Sequence, residues 1–148
     1  MHPPAMRITV AGHLPKGDHV SDDQNRKMAE EFASAFESGD KERMMAVFDA
    51  QVADDFVQEW PQSGERIRGK ENARAINQNY PGMPTAKVRS IKGSGNLWVF
   101  EADLDYGQGP VHMVTIAEVE NGKVVRQTDY FAEPFEAPEW RSKWVERM

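Results

Sequence analysis

An Asn-Gly dipeptide set between two alternating apolar runs, at Asn121-Gly122, constrains this 148-residue chain more than any other feature. Both residues reach positive φ easily, which suits a type I′ two-residue turn whose twist matches that of paired strands. The turn predicts strands over 111–120 and 123–132 with Glu120 opposite Lys123. Counting outward, Glu118 falls opposite Val125, Ile116 opposite Gln127, Val114 opposite Asp129 and His112 opposite Phe131. All share a face, because side chains alternate with period two. His112 is then a diagonal neighbour of Asp129, roughly 7 to 8 Å away between Cα atoms, within reach of a direct or water-bridged hydrogen bond. A carboxylate and an imidazole on an apolar face make a candidate site. The plainer alternative is that Asp129 caps or pairs with another group and His112 is a tolerated strand residue.

At this length one domain is expected, large enough to bury a continuous core and enclose a cavity. Hydrophobic residues make up 39% and charged residues 28%, the balance of a soluble globular protein with no run long enough to span a bilayer. With 18 basic against 24 acidic side chains the net charge is -6, so nucleic acid and anionic lipid are not expected partners. A small, neutral partner is. The absence of cysteine removes disulfides, thiolate metal sites and a cysteine nucleophile. The opening MHPPAMRITVAGHLPKG lacks the long apolar stretch of a signal peptide, so a cytoplasmic location is expected.

Residues 1–20 read as an arm. Its histidines, His2, His13 and His19, have no metal-ligand spacing, so no metal is expected. Ser21 with Gln24 forms a capping-box pattern, and Met28, Ala29, Phe32, Ala33 and Phe36 form a helical stripe, predicting a helix over about 22–38. Gly39 suits its C′ position and Asp40 the N-cap of a second helix bearing Met44, Met45, Val47 and Phe48. A short strand over 53–61 ends at a proline, and Gly69-Lys70 opens a third helix. Strands over 85–92, 97–106, 111–120 and 123–132 follow, joined by Gly-containing turns. Pro138 suits N1 of a C-terminal helix over 136–148, whose Trp140, Trp144 and Met148 recur every four residues and should bury against the body. Helices followed by a meander predict an α+β domain over 21–135: a cone-shaped, curved antiparallel sheet wrapped around the N-terminal helices and enclosing a pocket.

Ser38-Gly39-Asp40 after an amphipathic helix, Ala53-Asp54-Asp55 leading to Pro61, Arg68-Gly69-Lys70-Glu71 opening a helix, and Asn121-Gly122-Lys123-Val124 leading to Asp129-Tyr130-Phe131 together resemble the SnoaL-like branch of the nuclear transport factor 2-like superfamily, over roughly residues 22–135. The resemblance implies a cystatin-like cone. It does not name one reaction, because the superfamily includes ketosteroid isomerases, polyketide cyclases, limonene-epoxide hydrolases, dehydratases and members that only bind or dimerise. The position of the isomerases' proton-shuttling aspartate is Trp60 here, and an indole cannot shuttle protons. The hydrolases' tyrosine and asparagine would fall at Val57 and Glu59, and their arginine-aspartate pair has no counterpart, since no arginine occurs between Leu97 and Tyr106. Their water-activating aspartate matches Asp129. The cyclases are similar in using an aspartate on the last strand with a histidine on the strand before, which Asp129 and His112 resemble best.

Two functions follow as expectations. In the first, the chain is a cofactor-independent isomerase, cyclase or lyase acting on a small apolar carbonyl compound. Asp129 is then general acid and base, having lost hydration among Val114, Val125 and Phe131. His112 donates to a developing enolate or returns the proton, and Glu59 is a second acid. Trp60, Phe32, Val114, Gln127 and Phe131 line the pocket. The second is a non-catalytic binding or dimerisation module of the same fold. What separates them is whether Asp129 faces an apolar cavity or a salt bridge, for instance with Arg126 or Arg68. Neither needs a cofactor, and no Gly-rich phosphate loop or nucleophile elbow is present. A homodimer is expected through the outer face of the sheet, assigned to Met113, Thr115, Ala117, Val119, Val124, Thr128 and Tyr130, which is too apolar for water.

Overall fold

The computed structural model of the chain describes residues 19–148. Most of the N-terminal arm, with His2 and His13, lies outside the described residues. A two-residue break, Gly39 in the left-handed region at φ 66° and Asp40, separates α1 (His19–Ser38) from α2 (Lys41–Gln51). The Asp40 carboxylate accepts from the Arg43 backbone N–H at 3.1 Å, satisfying one of the donors that a helix start leaves unpaired. The chain then runs directly into β1 (Val52–Trp60). A short strand absent from the sequence reading, β2 (Glu65–Arg68), returns antiparallel to β1 and leads into α3 (Lys70–Asn79). The meander follows as β3 (Thr85–Ser94), β4 (Leu97–Asp105), β5 (Pro110–Glu120) and β6 (Lys123–Ala132).

Spatially the six strands run β2-β1-β6-β5-β4-β3. The meander pairs are antiparallel, and β6 closes against β1 in parallel. This is an α+β arrangement with the three helices on the inner side of one curved, unclosed sheet. Two apolar clusters hold it. Ala29 and Ala33 of α1 pack on Trp98, Phe100, Ala117 and Val119, while Phe48, Val52, Phe56, Ile67 and Ala73 form the second. The alanines let α1 lie close to the sheet, and the Gly95 carbonyl on the β3–β4 turn accepts from Asn25 Nδ2 at 2.9 Å and Trp98 Nε1 at 3.0 Å. Between the clusters the larger side chains leave space.

The Asn121-Gly122 turn forms as the sequence indicates. Both residues have positive φ, 50° and 74°, and Glu120 pairs with Lys123. The register does not continue as counted. Val119 pairs with Val124, but Glu118 pairs with Arg126, leaving Val125 without a partner in β5. This single bulge advances β6 by one residue, and period-two alternation converts a one-residue advance into exchange of the two faces. Asp129 therefore stands opposite Thr115, not Val114.

The C-terminal segment also differs from expectation. It forms a short 3₁₀ helix (Glu139–Trp144) with Trp140 and Trp144 74% and 70% exposed. At three residues per turn, a four-residue spacing no longer places both indoles on one stripe, and neither closes the cone.

Candidate functional site

Asp129 is 1% exposed, and among the described residues it is the only buried ionisable side chain. Its position on the inner face of β6 follows from the bulge. A carboxylate removed from water needs donors to replace its hydration, and four side chains supply them. Oδ1 accepts from Thr115 Oγ1 at 2.7 Å and Gln127 Nε2 at 2.9 Å. Oδ2 accepts from Gln58 Nε2 at 2.6 Å, Trp60 Nε1 at 3.0 Å and Gln127 Nε2 at 3.2 Å. Alternation along β1 brings Gln58 and Trp60 inward together, and the parallel register sets Gln58 beside Gln127. Because an ionised carboxylate only accepts, both glutamines must turn their amide nitrogens to it and their carbonyl oxygens away. No cation pairs with Asp129 among the described residues.

This cluster forms one polar pole of a cavity of about 190 Å³ whose other walls are mainly Phe32, Phe36, Met44, Met45, Phe48, Phe100, Leu104, Met113 and Phe131. Phe32 stands edge-on to Phe100 with ring centres 5.6 Å apart, a favourable aromatic geometry that stiffens the wall. The outer rim is more polar. Lys41, Asn77, Tyr80 and Tyr106 line it, and the Tyr80 hydroxyl donates to Tyr106 at 3.3 Å. Partial burial, and after it the Tyr80 hydrogen bond, push the Tyr106 phenol well above its usual range. Tyr106 therefore keeps its proton. Among the described residues no group of three His, Asp or Glu side chains could hold a metal, and no helix is long and apolar enough to cross a membrane.

The structure gathers some of the residues singled out in the sequence and separates others. Asp129, Trp60, Phe32, Gln127 and Phe131 all line the cavity. His112 does not, because the bulge puts it on the opposite face, where its Nδ1 lies 2.6 Å from Asp103 Oδ1 on β4. Val114 faces outward with it, paired to Tyr130. Glu59 alternates with Gln58 and Trp60 and so also faces outward, in ion pairs with Arg66 and Arg126. Arg126 thus pairs with Glu59 and Glu118, not with Asp129. The same exchange corrects the outer face. Met113 and Thr115 line the cavity and Ala117, Val119 and Val124 pack in the core, leaving only Thr128 and Tyr130 of the expected set outside. Gln58 and Thr115 join the cluster unannounced. An inward position for Gln58 follows from that of Trp60, two residues on, whereas Thr115 could be found only by knowing the bulge.

Comparison with known proteins supplies context for this geometry. The SnoaL-like domain family matches residues 29–127. The structure of an NTF-2-like protein of unknown function from Burkholderia xenovorans LB400 is 41% identical, covering 85% of this chain and 96% of its own, with a TM-score of 0.76. A putative ketosteroid isomerase from Kribbella flavida DSM 17836 is 30% identical over 86% of this chain and 92% of its own, with a TM-score of 0.75. A putative SnoaL-like polyketide cyclase from Jannaschia sp. CCS1, 17% identical over 79% and 91% of the two chains, shares the fold at a TM-score of 0.64. No curated protein matches the sequence.

Proposed function

The chain belongs to the SnoaL-like domain family of the nuclear transport factor 2-like superfamily, and from that premise we propose a cofactor-independent isomerase, cyclase or lyase that binds a small, largely apolar carbonyl compound and uses Asp129 as general acid and base. One observation carries the reading: a buried carboxylate, paired with no cation among the described residues, lines a largely apolar cavity. Holding a charge there is costly, and strands that needed only to adhere would do so as well through apolar contacts. The cavity, at about 190 Å³, is smaller than the roughly 300 to 1,000 Å³ of pockets for drug-sized ligands, which favours a ligand of one or two rings. Proton abstraction next to a carbonyl requires a base within reach and donors for the developing enolate oxygen. Asp129 supplies the base, and its amide partners and the Tyr106 hydroxyl are donors near the same space.

A second reading, a binding module without turnover, is favoured by the four donors that already occupy the carboxylate. The two separate in one assay. With 2-tetralone as a planar ketone probe in deuterium oxide, the parent should speed exchange of the α-protons, and Asp129→Asn should slow it by about two orders of magnitude. Exchange equal in both proteins would sink the enzyme reading.

We also propose a homodimer through the convex face of the sheet. Val57, Val99, Val114, Ile116 and Tyr130 lie there, with Leu97 half exposed. Most charges around them are paired within the face, Arg126 with Glu59 and Arg89 with Asp103, Glu101 being the exception, so a second copy would meet few unpartnered charges. Light scattering at micromolar concentration should return twice the chain mass; the mass of one chain would refute this.

A further inference from the structure

Asp129 can act as a base only if one of its four donors gives way, because a carboxylate has about four lone-pair positions and all are occupied here. Trp60 donates from a rigid ring and can only donate. Thr115 is 3% exposed and held at 2.7 Å, and Gln58 makes the shortest contact, 2.6 Å. Gln127 differs. Its amide nitrogen straddles the carboxylate at 2.9 and 3.2 Å, making it the only donor among the described residues that reaches both oxygens. It is half-buried and lines the cavity.

We propose that Gln127 is a further catalytic residue, an amide that reverses as Asp129 takes the proton, so that the donor held by the base passes to the ligand. This rests on the reading of Asp129 as base and adds the group that stabilises the product of its action. In the ground state Gln127 Nε2 donates to Asp129. As the ligand's α-carbon–hydrogen bond breaks, the proton goes to Asp129 Oδ1, the bonding pair forms a carbon–carbon double bond, and the carbonyl π pair moves to oxygen. Rotation about the last side-chain bond of Gln127 accompanies the transfer, vacating the Oδ1 position as the proton arrives and letting Gln127 Oε1 accept from the new Asp129 hydroxyl. The same rotation turns Nε2 into the cavity towards the enolate oxygen. Return of the proton to carbon reverses both movements. Since Gln127 meets both carboxylate oxygens, the exchange works whichever one is protonated. No co-reactant is required, and the donor passes to the ligand as negative charge forms on it.

Asp129→Asn imitates the protonated acid, being neutral with a donor group in place of one carboxylate oxygen and an acceptor in the other. In ¹⁵N-labelled Asp129→Asn, the Gln127 side-chain amide, assigned by its disappearance in Gln127→Met, should exchange with solvent at least tenfold faster than in the parent, while the Trp60 indole N–H stays protected. An unchanged Gln127 amide, or release of the Gln58 amide in its place, overturns the assignment of the movable donor. The catalytic half is read separately. Gln127→Met leaves Asp129 three donors and should fold, yet its 2-tetralone exchange should be slower by tenfold or more in kcat with KM within about threefold. An unchanged kcat overturns the role in turnover even if the amide reverses. A parent that does not exchange 2-tetralone at all counts against Asp129 as a base for ketones and removes the catalytic role with it, whereas the amide measurement in Asp129→Asn still reports whether Gln127 moves.

Discussion

Asp129→Leu is expected to destabilise the protein by about 4 kcal/mol, whereas Asp129→Asn costs about 1 kcal/mol. Leucine keeps the branched shape with bulkier methyl groups, and leaves Gln58, Trp60, Thr115 and Gln127 facing an apolar side chain. An orphaned buried donor costs roughly 1 to 3 kcal/mol, and only part of that is recovered by turning the amides or the hydroxyl elsewhere. Asparagine can be accommodated. Its carbonyl oxygen keeps Trp60 and Gln58, and its amide can donate to a rotated Thr115 hydroxyl and a reversed Gln127. For a chain of this size the leucine variant should melt roughly 10 to 15 °C below the parent and the asparagine variant within about 4 °C. Thermal melts of the two decide the matter. Equal melting temperatures would mean that water, not these four side chains, hydrates the carboxylate.

Insertion of one alanine between Arg126 and Gln127 should have the larger effect. It puts Gln127, Asp129 and Phe131 one residue out of phase with the pairs that now set them inward beside Ala117, Thr115 and Met113. Neither strand is free to turn, since β5 is paired to β4 and β6 to β1. Exposing that inward set forfeits about 5 kcal/mol or more of apolar burial and buried hydrogen bonds, comparable to the entire stability of many domains. Deletion of Val125 is the contrasting change. It removes the unpaired residue of the bulge, makes Val119 with Val124 and Glu118 with Arg126 successive pairs and keeps Asp129 opposite Thr115, so it should cost about 1 kcal/mol, the packing of one half-buried valine. Soluble yield and far-ultraviolet circular dichroism of the two variants provide the comparison. An insertion variant as well folded as the deletion variant would show that the phase of the pairing does not set the faces.

That bulge marks the limit of what the sequence reveals. The elements are legible because each has a local cause: a capping aspartate at Asp40, a left-handed glycine at Gly39, an Asn-Gly turn at 121–122. Which face of β6 Gln127, Asp129 and Phe131 occupy is set by the bulge, but that they share one is also local, since it depends only on alternation beyond the bulge. The partnership of Asp129 with His112 is not. It required the pairing to stay in phase from Glu120 to His112, and one unpaired valine in an otherwise regular apolar run breaks that phase without a glycine or proline to announce it. Glu59 was misplaced for a related reason. Its face is decided by the pairing of β1 with β6, seventy residues later in the chain, where Arg126 meets it. The C-terminal tryptophans were read at helical spacing, but the segment winds as a 3₁₀ turn.

The parallel contact between β1 and β6 also bears on the order in which the protein becomes competent. Gln58 and Trp60 lie 71 and 69 residues before Asp129, so the carboxylate gains half its donors only when the first and last strands of the sequence pair. Contacts of such long sequence separation carry a high loop-closure entropy and form late. During synthesis α1, α2 and β1 emerge long before β6, and Trp60 must wait for a partner that the ribosome has not yet made. A chain that has collapsed around α1 but not zipped β6 onto β1 would have most of its core and no organised polar pole. Completion of the site is thereby tied to the last strand, and a partly folded chain cannot present the carboxylate with its four donors in place.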